Sequence, residues 1–545
     1  MSNQQDATIK ALELELVQGI VNENSHGENL VDINSEAAVL LLQPPTGEEV
    51  YAAIRACIST KHVTSLAEIK KLKTELILRH VCEDRPLFPF LQIAATLHDA
   101  CLKPGTRTAE TDWEEAIRIV LANIQSLSVY NIPTESLMLS ESRNIAIANA
   151  AKRLRAAGYE TEIVDGQVRL TDEHFARIRD DIALWCQELG GLPVVDTVLR
   201  SIQYNYDERF GRYQLGREVR TTPGPPVPQV PWPYLLQLGI KAYRTMPAGT
   251  ASNKKFQELA ELVTDALSLY NVQPYSAFET MLNSEHTIAQ FLRRCAFYDS
   301  AFVLTQIRTS DAQKLYRGIF SSDKLKNLAT AGITIETAMR VCDAIFDLAQ
   351  PTMISIFDAE ILSQTAGLQV SVVKSVLDNV LTHQAPAPNE NLTFPPLSTA
   401  IDFGFRPLLQ LSDEKYCLLP IAITGPAFYE ALAAFARQAK KRADDDIGET
   451  AEEFVKSQLT IHGVTYKSGV YKLPKTAACN IESGECDIVV ETQQSILLFE
   501  LKKKALTRAA RSGSDIKLFI DLSLSAIDAQ LQAMKQKQFS ASLGS

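Results

Sequence analysis

The chain has 545 residues, of which 46% are hydrophobic and 22% are charged, a composition that supplies a sizeable core and excludes wholesale disorder. Its 54 basic and 65 acidic residues give a net charge of −11, which argues against a generic polyanion binder, because phosphate contacts come from Lys and Arg. The nine cysteines form no Cys-x-x-Cys pair, and the sequence shows neither a long apolar run nor a signal-peptide pattern at Met1. These features predict a cytoplasmic protein with no membrane span.

Residues 1–221 are predicted to be a mostly helical region, because apolar residues recur at i, i+3 and i+4. The predicted helices are Ala7 to Asn22, Glu48 to Ser59, Ser65 to Cys82, Asp112 to Ser126 and Arg143 to Ala157. One break lies at residues 159–170, where Asp165-Gly166 separates two alternating runs. An Asp-Gly pair in that position predicts a small β-hairpin.

Two proline-containing segments divide the rest of the chain. Residues 222–233 are too rich in proline for regular structure, so they form either a linker or a strap held on the surface by Val227, Val230 and Trp232. Helices are predicted to resume at Tyr234 and to continue to about His383. Residues 384–396 are predicted to be a second linker.

The C-terminal module, residues 397–545, has a different pattern. Two short strands are predicted between Arg406 and Leu419, followed by helices, the second of which carries Gly448 and Glu452. Three strands and a long last helix, from Leu522 to Lys537, are then predicted. The overall fold class is therefore α+β, with a large helical region before a C-terminal α/β module.

The strongest chemical signal lies on two of these strands. Asp487 opens one apolar strand, and Glu500 and Lys502 close the next, on one face because strand side chains alternate. The second strand is apolar on both faces, which predicts that it is buried. Charges at the edge of a core are costly unless they are paired or bound. Two carboxylates beside a lysine suit a Mg²⁺ site that activates water.

The order helix, strand, strand, strand, helix, with Glu452, Asp487 and Glu500-Leu501-Lys502 in sequence, resembles the PD-(D/E)XK nuclease superfamily. The resemblance covers roughly the last 100 of the 545 residues, or the whole module from 397 if its first hairpin belongs to the fold. It implies a mixed central sheet flanked by helices. It also implies that Asp487 and Glu500 bind Mg²⁺ (or Mn²⁺ as a substitute), that Lys502 positions or activates water, and that Glu452 is an auxiliary acid.

The chain departs from the superfamily after the last helix. No apolar run remains there for a further strand. Either the strand comes from elsewhere, with the Arg406 to Leu419 hairpin as a candidate, or the chain is shortened relative to its relatives. A fragment that begins near Leu397 is accordingly expected to fold alone. The other interpretation of the motif is a surface hairpin whose charges are merely solvated.

Further residues around the motif are candidates for supporting roles. Glu485 lies two residues before Asp487 and shares its strand face, so it is an alternative ligand or a residue that supports the ligands. Gln530 of the last helix is a second supporting candidate. The basic segment after Glu500 is predicted to contact phosphates, although an ordinary solvated loop is the alternative; its candidates are Lys503, Lys504, Arg508, Arg511 and Lys517.

These observations predict a Mg²⁺-dependent nuclease, with DNA favoured over RNA as substrate. The resemblance implies a role in restriction or anti-phage defence. The helical region would be a sensor or regulator, and a homo-oligomer or a protein partner bound through that region is left open. The alternative is a catalytically inactive nucleic-acid-binding or scaffold protein that retains a nuclease-like domain.

Overall fold

The computed structural model describes residues 12–25, 46–127, 132–139, 142–215, 229–248, 253–272, 288–384, 388–396, 400–472, 483–501, 507, 510 and 515–543. The chain divides into two compact units. Unit 1 comprises residues 1–178, 218–229 and 261–281, and unit 2 comprises residues 179–217, 230–260 and 282–545. The protein is mostly helical and of the α+β class, with small antiparallel sheets.

Eleven α-helices are described before residue 270. They are α1 (Leu14–Ser25), α2 (Gly47–Cys57), α3 (His62–Glu83), α4 (Phe90–Cys101), α5 (Trp113–Asn123), α6 (Thr134–Leu139), α7 (Ser142–Ala156), α8 (Asp172–Leu189), α9 (Gly191–Ile202), α10 (Trp232–Lys241) and α11 (Asn253–Ser268).

The later helices are separated by short strands and loops. They are α12 (Ile288–Phe302), α13 (Thr309–Phe320), α14 (Ile335–Leu348), α15 (Ala359–Ala366), α16 (Val370–Val376), α17 (Ile421–Ala439), α18 (Ala443–Ile461), α19 (Asp515–Leu522) and α20 (Asp528–Leu543). A π-helical turn, Ser523–Ile527, joins α19 to α20.

The strands are short. They are β1 (Thr161–Val164), β2 (Gln167–Leu170), β3 (Tyr206–Asp207), β4 (Arg212–Tyr213), β5 (Ala329–Thr330), β6 (Ile333–Thr334), β7 (Ser355–Asp358), β8 (Leu408–Gln410), β9 (Lys415–Leu418), β10 (Lys467–Lys472), β11 (Ser483–Glu491) and β12 (Ile496–Phe499). They form three two-stranded sheets and two three-stranded sheets, of order β7-β9-β8 and β10-β11-β12, within the described part of the chain.

Local chemistry explains where several elements begin and turn. Thr46 and Glu49 form a reciprocal capping box at the start of α2. The Asp358 carboxylate accepts a hydrogen bond from the Ile361 amide at 2.8 Å and starts α15. Asp165 and Gly166 have φ values of 54° and 69°, and β1 and β2 pair across them. The predicted hairpin is therefore present, with the left-handed turn that Asp-Gly favours.

Unit 1 is built around one helical core. Buried apolar residues of α1 to α5 form a continuous cluster that includes Ile54, Ile69, Leu91 and Ile117. A smaller cluster joins α7 to the β1–β2 hairpin through Ala148, Ala151 and Val168. Amphipathic helices that pack in this way bury the apolar face that the periodicity predicts.

The main core of unit 2 runs from α13 to α18 and includes the sheet β7-β9-β8. The hairpin between Arg406 and Leu419 belongs to this sheet, since β9 pairs with β7, Ile356 opposite Cys417. It is not the missing strand of the C-terminal sheet. Its partner β7 also interrupts the region in which only helices were predicted.

The described residues of the predicted 384–396 linker are packed against the core. Asn389 is fully buried, and its side-chain amide donates to the Gln237 side chain at 2.6 Å. Leu392 and Phe394 are also buried. The proline-rich segment also differs from its prediction as a linker or strap, because Trp232 and Pro233 already belong to α10. Residues 222–228 lie outside the described residues.

The last sheet, β10-β11-β12, is antiparallel throughout rather than mixed as predicted. Helix α20 packs against β11 and β12. On β11, Cys486, Ile488 and Val490 are buried. The prediction that β12 is buried on both faces is wrong: Ile496, Leu497 and Phe499 are 52%, 46% and 41% exposed. In the described sheet β12 is an edge strand, and an edge strand has a neighbour on one side only.

Candidate metal-binding carboxylate pair

The β11–β12 hairpin brings Asp487, in the middle of β11, close to Glu500, which comes directly after β12. Since β11 begins at Ser483, the prediction that Asp487 opens this strand is wrong. Ile488 lies opposite Phe499 and Val489 opposite Leu498, so the next position of that register sets Asp487 opposite Glu500. Residues that are opposite in an antiparallel pair share a face of the sheet. The backbone positions of the two acids predicted from the sequence are therefore adjacent.

The turn that joins the two strands fixes this register. The Thr492 amide donates to the Ser495 carbonyl at 2.8 Å, and the Thr492 hydroxyl accepts from the Ser495 amide at 2.9 Å. A Thr hydroxyl that accepts a hydrogen bond from a backbone amide of the same turn favours turn formation, and this preference can be recognised from the local sequence. Since a slip of one residue would move every side chain to the other face, this turn secures the pairing of the acids.

Asp487 has a structural contact besides its place in the pair. Its Oδ2 atom accepts a hydrogen bond from the Leu501 amide at 2.6 Å, at the point where the chain leaves β12. Asp487 is half-buried, as is Glu500, whose Oε1 atom is out of reach of solvent. One oxygen of Asp487 thus holds the strand end, and Oδ1 is the other oxygen that a ligand would use.

Cys486 lies beside the pair and was not among the predicted site residues. The pKa of its thiol is raised to about 11, first by burial, then by the Glu500 charge, with a smaller contribution from Asp487. The Glu500 side chain is also a hydrogen-bond partner of this thiol, so that carboxylate lies beside Cys486. At neutral pH this thiol stays protonated, so it is a poor metal ligand and a poor nucleophile.

The described contacts of Glu452 lie elsewhere. Its carboxylate pairs with Lys456 of the same helix at 2.5 Å. Helix α18 packs against α13 and α17, and the Phe454 ring fills the space above Gly318, where a Cβ would lie 2.1 Å from Cδ2. These contacts hold α18 in the helical core of unit 2. They do not bring Glu452 to Asp487, and its role as auxiliary acid stays a prediction.

The remaining predicted residues are placed as follows. Glu485 is exposed on β11 and lies opposite Val470 of β10. Gln530 is exposed on α20, and Lys517 is exposed on α19. The other predicted residues lie outside the described residues; they are Lys502, Lys503, Lys504, Arg508 and Arg511.

Asp521 is a buried acid that sequence reasoning missed. It is only 2% exposed, and its Oδ2 atom accepts from the Thr507 amide at 2.7 Å. The Thr507 hydroxyl in turn accepts from the Ala510 amide at 3.3 Å. The chain after β12 is thus tied to α19 at Thr507. A single acid inside the apolar run Leu518-Phe519-Ile520-Asp521-Leu522 was the signal that could have found it.

The chemistry of this site suits a hard cation. Among the residues that are described, no three or more His, Cys, Asp and Glu side chains gather as a metal-binding group. Mg²⁺ does not need such a group, because it keeps several waters and binds through one or two carboxylates together with substrate phosphates. Asp487 and Glu500 meet that requirement as a pair of oxygen donors.

A cavity of about 200 Å³ lies elsewhere in unit 2, between α8, α10 and residues 392–394. Lys241 of its lining donates to the Leu392 carbonyl at 2.7 Å, and Arg179 and Asp180 are paired with each other at 3.0 Å. Burial raises the pKa of the Cys186 thiol to about 12. This thiol is therefore not an activated nucleophile.

Across the described ranges no single helix is long and apolar enough to cross a membrane; α8 and the following helix meet the length and apolarity criteria only as a pair, bent by 93°. No family model, curated protein or solved structure matches the chain.

Proposed function

We propose that the chain is a metal-dependent nuclease that hydrolyses phosphodiester bonds, with DNA as the favoured substrate. The observation that carries the proposal is the pairing of Asp487 and Glu500 at one end of the β11–β12 hairpin. The chain continues directly from that pair into Lys502 and the basic segment. Carboxylates, a lysine and phosphate-binding cations are the groups that metal-assisted hydrolysis of a phosphodiester requires.

In this proposal Asp487 and Glu500 hold the cation. When bound, Mg²⁺ would supply a Lewis acid for the phosphate and lower the pKa of a bound water. Lys502 orients the attacking water or stabilises the charge that develops on phosphate. Lys503, Lys504, Arg508, Arg511 and Lys517 hold the backbone of the nucleic acid, so the contacts are local on a chain whose net charge is −11.

Glu485 and Gln530 are assigned supporting roles. Glu485 lies on the same strand as Asp487 and is the alternative carboxylate ligand. The cytoplasm is the proposed compartment, and the resemblance to PD-(D/E)XK nucleases extends the proposal to restriction or anti-phage defence. The helical region would then sense a trigger or restrain the nuclease.

The second candidate is a nucleic-acid-binding or scaffold protein with an inactive nuclease-like domain. The hydrogen bond from the Leu501 amide to Asp487 favours it, because this carboxylate already has a structural use. Both candidate functions predict that the chain binds nucleic acid, but only the nuclease is expected to cleave it.

The test is a cleavage assay of the full chain on supercoiled plasmid, linear duplex DNA and single-stranded RNA. Each substrate is incubated with Mg²⁺, with Mn²⁺ and with EDTA, and binding is measured on the same samples by fluorescence anisotropy. We expect metal-dependent cleavage of DNA that EDTA abolishes. Metal-independent binding without cleavage of any substrate would support the scaffold protein instead.

A further inference from the structure

The outward face of the last helices is strongly apolar. Along α19, the π-helical turn and α20, seven large apolar side chains are between 39% and 73% exposed. They are Ile516, Phe519, Ile520, Leu524, Ile527, Leu531 and Met534, here called the outer stripe. Monomeric proteins rarely expose a contiguous apolar patch of this extent without a use for it.

The opposite face of the same helices already covers the protein. Leu518 and Asp521 are buried there, and Leu522, Ser525 and Ala529 are half-buried. Helix α20 contacts β11 and β12. Helix α19 also contacts α12. Within the described residues the buried side of these helices is thus the smaller and more polar one, while the seven side chains of the outer stripe stay 39–73% exposed.

The spacing of the outer stripe identifies the kind of surface that fits it. Ile520, Leu524, Ile527, Leu531 and Met534 follow one another at intervals of four, three, four and three residues. This is the a/d spacing of a heptad repeat, in which apolar side chains of one helix insert between those of another. The fitting surface is thus a second helix with the same spacing.

We propose that the outer stripe pairs with the outer stripe of a second copy of this chain, in an antiparallel helix pair about a two-fold axis. The intervals of four, three and four residues from Ile520 to Leu531 read the same in both directions, so this part of the stripe is complementary to its own reversed copy. A two-fold interface requires this self-complementarity, since residue i of one copy contacts residue j of the other and the reverse. The pairing does not depend on nuclease chemistry and uses a surface outside the N-terminal helical region.

The size of the stripe agrees with a stable pair. A large apolar side chain presents on the order of 150 Å², so seven that are about half exposed offer roughly 500 Å² per copy. Two copies together reach the roughly 1,000 Å² that a specific interface needs.

Charge selects the orientation. Lys535 and Lys537 are exposed near the C-terminal end of the helix. A parallel pair in register would set each of them beside its own copy, and like charges at such positions destabilise helix pairs. An antiparallel pair separates these lysines to opposite ends of the interface.

The experiment is sedimentation equilibrium of the full chain over a range of micromolar concentrations. We expect a weight-average mass approaching twice the monomer mass of 60.3 kDa. The double variant Leu524→Glu/Ile527→Glu is expected to lower that mass twofold, because it sets charges at the centre of the stripe. The matched control Val63→Glu/Leu102→Glu changes two side chains that are 67% and 61% exposed in unit 1 and should remain dimeric.

A wild-type chain that is monomeric throughout this range overturns the proposal. So does a dimer that persists in the Leu524→Glu/Ile527→Glu variant, since the interface must then lie elsewhere. If circular dichroism shows that the variant has lost helix, hydrogen exchange of the wild-type chain is used instead to test whether the outer stripe is the interface. Exchange in peptides that cover residues 520–534 must slow as the protein concentration rises, and exchange that is independent of concentration contradicts the pairing.

Discussion

At the scale of single residues, the environment of Cys486 reports on the carboxylate pair independently of catalysis. Burial and the Glu500 charge raise the pKa of this thiol to about 11, against about 8.5 in an unfolded chain. The folded state therefore holds the proton more tightly. The stabilisation that this group provides is complete below pH ~8.5 and is lost as the pH rises towards 11.

The corresponding prediction concerns Glu500→Gln. Removing the charge lowers the pKa of Cys486, so its alkylation by iodoacetamide at pH 8.5 should rise several-fold. Peptide mass spectrometry measures the rate at Cys486 alone. Glu491→Gln is the matched control, because Glu491 is exposed at the other end of the hairpin and pairs with Lys467 at 2.8 Å. Equal rates in Glu500→Gln and wild type would show that Glu500 does not lie beside the thiol.

Asp521 leads to a second prediction at the residue scale. Asp521→Ala removes the acceptor of the Thr507 amide and should cost about 1–3 kcal/mol of unfolding free energy. Asp521→Asn retains an oxygen acceptor and should cost less. Urea unfolding measures the difference, and Lys517→Ala, an exposed change on the same helix, is the control. If Asp521→Ala has wild-type stability, the hydrogen bond from the Thr507 amide to Asp521 does not stabilise the fold.

At the scale of elements, the close contact between α13 and α18 holds Glu452 in the helical core. A Cβ on Gly318 would overlap the Phe454 ring, so Gly318→Ala should destabilise the chain by about 1–3 kcal/mol despite its better helix propensity. Phe454→Leu should relieve that cost in the double variant. Thermal or urea unfolding of the single and double variants measures this change in the free energy of unfolding.

The control for this prediction is another helical glycine. Gly19 of α1 has nothing within 4 Å of a built Cβ, so Gly19→Ala should be neutral or stabilising by up to ~1 kcal/mol. If Gly318→Ala behaves like Gly19→Ala, α18 is not packed tightly on α13. Glu452 would then be free to approach the strands.

Elements whose signals are local could be predicted from the sequence. Asp165-Gly166 specified its hairpin, because the turn residues lie next to the strands that they join. The exposure of β12 could not be predicted, because apolar residues on both faces normally mean burial. Nor could β7, since its partner β9 lies far along the chain and pairing of that kind leaves no periodic signal.

At the scale of the whole molecule, the partnership of β7 and β9 changes the expectation for a C-terminal fragment. A fragment that begins at Leu397 lacks β7 and most of the helices that cover Phe428 and Leu432. It would expose a strand edge and half of a core, and both promote aggregation. We therefore expect it to be insoluble or loosely folded, as judged by light scattering and urea unfolding. A monomeric fragment with a cooperative transition would contradict this expectation.

The central claim is that Asp487 and Glu500 together form the metal site of a nuclease. The two acids were predictable because each interrupts or follows an apolar strand segment, whereas the role of Lys502 rests on the sequence alone.

The most direct test is the rate of Mg²⁺-dependent plasmid cleavage by wild type, Asp487→Asn, Glu500→Gln and Glu491→Gln, with folding checked by circular dichroism. We predict a loss of at least about 100-fold in the first two variants, since each removes a charged metal ligand. Glu491→Gln should cleave at the wild-type rate. Wild-type cleavage by both Asp487→Asn and Glu500→Gln would contradict the account.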